Sequence, residues 1–87
     1  MCDKARDIAI VLSNMMILIP SKFEKEHNYM LKLKNDLFNR APELCNHYWT
    51  IIFNYVSRTF INNTDWEKKM SVIYNKGYTD YINKYKD

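Results

Sequence analysis

The chain predicts an all-α fold, a small antiparallel four-helix bundle, and three observations carry that reading. Its 87 residues include one Gly and two Pro, too little turn chemistry for a β fold that reverses at every hairpin. Hydrophobic residues make up 47% and aromatics 15%, enough to build a core at a length where only about 60–65% of the unfolded surface is buried. Apolar residues also recur at helical spacing between recognisable start and stop signals. A single helical domain over residues 1–87 follows.

Each element has its own signals. Asp3 is placed to cap a first helix over about 4–19, which Pro20 stops. Ser21-Lys22-Phe23-Glu24 reads as a capping box, opening a second helix over about 22–40. Pro42 suits the first turn of a third helix, where its missing N–H is not needed, and that helix runs to about Ile61. Thr64-Asp65-Trp66-Glu67 is a second capping box and opens a fourth helix over about 65–85. Connections this short make consecutive helices antiparallel neighbours. Gly77 admits two readings. After Asn75-Lys76 it reads as a C-cap, with Thr79 capping a short final helix. In a continuous helix it shares a stripe with Trp66, Met70 and Ile73 and admits a close neighbour, at a cost of about 1 kcal/mol relative to Ala.

The apolar faces are uneven. Ile8 to Ile19 holds ten apolar side chains out of twelve, more than one buried face uses. Ile8, Val11, Leu12, Met15, Met16, Leu18 and Ile19 form one broad face. Ile10 and Ile17 fall on the other side among Asp3, Arg6, Ser13 and Asn14, the seam of a helix that packs twice. In the third helix Leu44, Cys45, Tyr48, Trp49, Ile51, Ile52, Phe53, Tyr55, Val56 and Phe60 cover about half the wheel, enough to meet two or three neighbours.

Charge and composition narrow the function classes. The net charge is +3, with seven basic and six acidic residues in 1–43 and six and four in 44–87, so no clustered nucleic-acid footprint emerges. Lys4 and Arg6 before an apolar run resemble an export signal. Asp3 and Asp7 cancel that charge, however, and Ser13-Asn14 break the run. The run also falls short of the roughly 20 apolar residues a bilayer span needs. An intracellular, cytoplasmic protein without a membrane role is expected, with Asn62-Asn63-Thr64 serving as turn chemistry rather than as a glycan acceptor. Cys2 and Cys45 form no motif, and free thiols are expected rather than one disulfide. Asn, Ile, Lys and Tyr fill 36 positions against nine for Gly, Ala, Pro and Arg, the bias of an AT-rich genome such as a low-GC bacterium, its phage or a large DNA virus.

Candidate chemistry is sparse. Cys2, His27, Cys45 and His47 are the soft metal ligands, but Cys45 and His47 point roughly 200° apart on a helix and cannot chelate one ion. Cys45 lies on an apolar arc, where a thiol stays protonated, and Glu43 one turn from His47 reads as a surface hydrogen-bond partner. One glycine allows no phosphate-binding loop. No catalytic residue, cofactor or metal is expected, and the chain reads as non-enzymatic. His47-Tyr48-Trp49-Thr50-Ile51-Ile52-Phe53 resembles a helix of the flavin-linked sulfhydryl oxidases, small helical bundles found in some large viruses. That family works through a C-x-x-C pair that this chain lacks, so no site is carried over. His27, near Phe23, Met30 and Phe38 with Lys34 beside it, reads as a boundary histidine, a pH-sensitive or ligand-binding pocket being the sharper alternative.

Two partner surfaces remain. Ile10, Asn14 and Ile17 form the expected contact of a small protein-interaction module, an accessory factor of a phage or large DNA virus that self-associates, most simply as a homodimer, or binds another protein. The alternative is a helical nucleic-acid-binding protein: Tyr74, Tyr78, Tyr81 and Tyr85 line one flank of the last helix with Lys76, Lys84 and Lys86 nearby and Asp80 and Asp87 among them. Such rings can stack bases while lysines hold phosphates. The same spacing also thickens a small core while leaving hydroxyls wet.

Overall fold

Every helix starts or stops a little away from its expected cap, and local hydrogen bonds explain each shift. The computed structural model describes residues 2–86; Met1 and Asp87 lie outside the described residues. Helix α1 spans Asp3–Leu18. Its N-cap is Cys2, whose sulfur accepts from the Ala5 N–H at 3.5 Å, so Asp3 sits in the first turn instead of capping it. Helix α2 spans Glu24–Leu37. The expected capping box at Ser21 does not form, because the Phe23 N–H turns back to the Pro20 carbonyl at 3.0 Å and the chain makes a turn through Ser21 and Lys22. At its other end, Phe38, Asn39 and Arg40 donate to carbonyls three residues back, and this tightening ends the helix before residue 40.

The third helix is also shorter than expected. Pro42–Leu44 form a single 3-10 turn, and helix α3 spans His47–Thr59. The amides of Cys45, Tyr48 and Trp49 bond to Pro42, Cys45 and Asn46 in the tighter pattern, and Ile61 lies in the turn that follows. Helix α4 spans Thr64–Tyr85 without a break. Its cap is Asn63, one residue before the expected Thr64, whose side-chain oxygen accepts from the Trp66 N–H at 3.3 Å.

The helices form an all-α four-helix bundle, with no strand among the described residues. α1 packs against α2 and α4, and α3 packs against α4. α2 and α3 meet through the stacked rings of Tyr29 and Tyr55, 4.3 Å apart, and Arg40, just beyond α2, donates from Nε to the Tyr48 hydroxyl of α3 at 3.0 Å. The pairings are antiparallel: Asp7 meets Lys84 and Tyr85 while Val11 faces Gly77, and Asn46 meets Tyr81 while Phe53 meets Tyr74.

One contiguous core joins them, centred on Ile8, Leu12, Met15, Met30, Leu37, Ile52 and Met70. Burying each such side chain is worth about 1.5–3 kcal/mol relative to exposure. Ala5 and Ala9 belong to this core although they lie outside the expected face, because small side chains let α1 approach its neighbours. Leu18, expected inside, is exposed at the end of α1; Leu44, Ile51 and Phe53 are exposed at the edges of the arc of the third helix, and Phe38 is half exposed. Only the central part of each broad apolar arc finds a neighbour. Gly77 settles in favour of close approach: a Cβ there would overlap Val11 Cγ2 and lie 3.5 Å from Trp49 Cη2.

Candidate functional site

Gly77 brings the backbone of α4 onto Val11 of α1. Outward of that contact the two helices leave a groove of about 420 Å³. Ile10, Val11 and Asn14 supply its α1 wall; Val72, Ile73 and Gly77 lie on its α4 wall. Two of the aliphatic groups are open to solvent: Ile10 is 52% and Val72 67% exposed. Such a surface on a small helical protein is the kind that takes an apolar partner.

The rim is charged and tied down. Lys76 Nζ donates to Asp80 Oδ2 at 3.1 Å along α4. At the far end Asp7 Oδ2 accepts from Lys84 Nζ at 3.0 Å and from the Tyr85 hydroxyl at 2.7 Å, linking α1 to α4. Partial burial works against the Asp7 carboxylate, but those two hydrogen bonds and the charges of Lys84 and Arg6 outweigh it and hold its pKa below the usual carboxylate value. The hydrogen bond to Asp7 correspondingly holds the Lys84 ammonium above its ordinary range.

The structure thus brings Ile10 and Asn14 into one wall. Ile17, 83% exposed, lies two turns from Ile10 on α1 and is not part of the lining. Val72, Lys76 and Asp80 complete the site and were not singled out with it. Val72 stands between Ser71 and Ile73 in a mainly polar stretch, and only the pairing of α1 with α4 places it opposite Ile10.

The tyrosines lie mostly on the other flank of α4. The Trp49 ring packs edge-to-face with Tyr74, Tyr78 and Tyr81 at 5.2–5.6 Å, and Tyr74 and Tyr78 lie parallel, 5.8 Å apart. Tyr81 is buried, and its hydroxyl donates to Asn46 Oδ1 at 2.6 Å. Burial, with the nearby Cys45 next in weight, pushes its pKa up to about 12. Burial also raises Tyr74, Tyr78 adding to it. Tyr85 is tied to Asp7. Lys76 lines the α1 groove, away from the stacked Tyr74–Tyr78 pair, whereas Lys84 lies 5.3 Å over the Tyr85 ring. The six residues of the nucleic-acid alternative are therefore divided between two flanks, and of the tyrosines Tyr78 is the most exposed, at 40%.

The remaining polar candidates are structural in their contacts. His27 Nε2 donates to the Ile19 carbonyl at 2.9 Å, satisfying an acceptor left over at the end of α1. Cys45 is buried and His47 exposed, and among the described residues no three His, Cys, Asp or Glu side chains converge on a point. Trp49 Nε1 is buried without a hydrogen-bond partner among them. No helix among them is long and apolar enough to cross a membrane. Compared with models of known protein families, with curated proteins and with solved structures, the chain matches none.

Proposed function

We propose that this protein is a non-enzymatic interaction module whose contact surface is the groove between α1 and α4, and that its simplest occupant is a second copy of the same chain. The observation that carries the reading is the open aliphatic pair Ile10 and Val72 facing each other across that groove, with Ile17 extending the strip along α1. The rim supports a protein partner over a polyanion, because its two carboxylates, Asp7 and Asp80, match its two ammonium groups, Lys76 and Lys84. A two-fold copy can set each cation opposite a carboxylate, as isologous interfaces require.

Magnitudes limit the contact. Covering Ile10 and Ile17 is worth roughly 3–6 kcal/mol gross per subunit, at most about 6–12 kcal/mol for the dimer, which association costs of about 4–15 kcal/mol largely absorb. Val72 and the hydrocarbon stem of Lys76 therefore join the interface, giving a dimer of moderate affinity. In the phage or viral setting that the amino-acid bias fits, the same surface serves a host or viral protein partner.

Light scattering across a concentration series tests this. The wild type is expected to approach a dimer mass and Ile10→Asp/Ile17→Asp to stay monomeric with unchanged helical circular dichroism. A wild type that remains monomeric at high concentration removes self-association. A double variant that unfolds shows that these isoleucines serve the core.

A further inference from the structure

The seam between α3 and α4 is packed by rings, yet it holds a second cavity, of about 200 Å³. Asn46, Trp49 and Thr50 wall it on one side and Tyr74, Tyr78 and Tyr81 on the other. It shares only Tyr81 with the groove between α1 and α4, so it stands apart from the contact surface of the interaction module. Asn46, Thr50 and Tyr78 are exposed, which leaves the cavity open to solvent. Its volume lies below the roughly 300–1,000 Å³ that drug-sized ligands occupy, and a single ring suits it.

The walls select the chemistry. None of the described residues lining the cavity is charged, so a phosphate, carboxylate or ammonium group would lose its hydration there without gaining a counter-charge. Trp49 meets Tyr74 and Tyr78 edge-to-face, and aromatic walls of this kind pack best against a flat ring. The polar groups on offer are donors. Trp49 is 3% exposed, and its Nε1–H is buried with no hydrogen-bond partner among the described residues. An indole N–H can only donate, and leaving such a group unpaired costs free energy. The Tyr81 hydroxyl donates to Asn46 Oδ1 at 2.6 Å, which leaves the Asn46 amide nitrogen as a further donor. A ligand that answers these walls is neutral, flat and rich in acceptors.

We propose that this cavity binds uncharged single-ring compounds that carry carbonyl acceptors, the pyrimidine-base class, with a carbonyl oxygen accepting from Trp49 Nε1–H. A free base is favoured over a base within a nucleic-acid strand, because no lysine or arginine lines the cavity to hold the adjoining phosphates.

The test titrates uracil into isotope-labelled protein and follows the indole N–H resonances of the two tryptophans, with Trp66→Phe assigning the one from Trp49. A saturable downfield shift of the Trp49 signal is expected, with slowed exchange against water and Trp66 unmoved. Thr50→Phe, which adds a ring at an exposed position of the lining, is expected to abolish that shift while keeping the helical circular dichroism. A Trp49 signal unmoved up to the solubility limit of uracil overturns the proposal. So does an equal shift with benzene, which has no acceptor, or an oligouridylate that binds more tightly than uracil and in a salt-dependent way. The wild-type titration decides even where Thr50→Phe fails to fold.

Discussion

Against α3, helix α4 packs its tyrosines around one tryptophan; against α1, it presents a glycine, aliphatic side chains and charges, and the two seams close to different degrees. On the first flank Trp49 takes three aromatic neighbours and is 3% exposed. On the second, Val11 reaches the α4 backbone at Gly77, yet one turn outward Ile10 and Val72 stand apart in the open groove. Large rings fill a seam from a distance; a missing side chain closes it only at one point. The aromatic flank therefore carries stability, and the α1 flank keeps apolar surface open to solvent.

The sharpest way to break this comparison is on the aromatic flank. Trp49→Ala removes the common neighbour of Tyr74, Tyr78 and Tyr81 and is expected to cost about 3–5 kcal/mol in urea denaturation. A loss below about 1 kcal/mol is incompatible with a stability-bearing flank.

Tyr81 gives the same flank a signature in base. Its pKa is raised from 10.0 in the reference state to about 12 in the fold, so its contribution is fully present below pH 10 and is lost as pH rises from 10 towards 12. The loss is on the order of 2 kcal/mol, and Tyr81→Phe flattens that limb of the pH–stability profile.

Gly77→Ala probes the point of closest approach. Helix propensity alone favours Ala by about 1 kcal/mol. The overlap with Val11 Cγ2 reverses the sign, giving a net loss of about 1–3 kcal/mol. Adding Val11→Ala frees the space, so Gly77→Ala costs less in that background than alone, a non-additive cycle.

The rim makes a smaller difference. The Asp7 carboxyl is held below its ordinary pKa, so its contribution is present at neutral pH and disappears as pH falls through the depressed value. Asp7→Asn removes that acid limb and costs less than about 1 kcal/mol at neutral pH, Lys84 being largely exposed.

Much of this architecture was legible in the chain. Pro20, Pro42 and the polar clusters at 21–24 and 62–65 mark the breaks, and the α1 face at Ile8, Val11, Leu12 and Met15 is the buried one. The caps moved because neighbours compete for the same orphan amides: Asn63 takes the Trp66 N–H ahead of Thr64, and a thiol at Cys2 displaces Asp3. Ala5 and Ala9 were missed because apolar periodicity weighs large side chains, whereas close helix approach depends on small ones. Ile10 and Asn14 were readable as a surplus on α1, but Val72 was not, since its role depends on which helix lies across from it.

The central claim, that partner contact belongs to the α1 flank of α4 and not to its aromatic flank, is tested most directly by amide NMR spectra recorded across a dilution series. The account predicts concentration-dependent shifts grouped at Ile10, Asn14, Ile17, Val72 and Lys76, absent in Ile10→Asp/Val72→Asp, with Tyr74 and Tyr78 unmoved. Shifts grouped at Tyr74, Tyr78 and Phe53 instead, or a spectrum unchanged on dilution, contradict it.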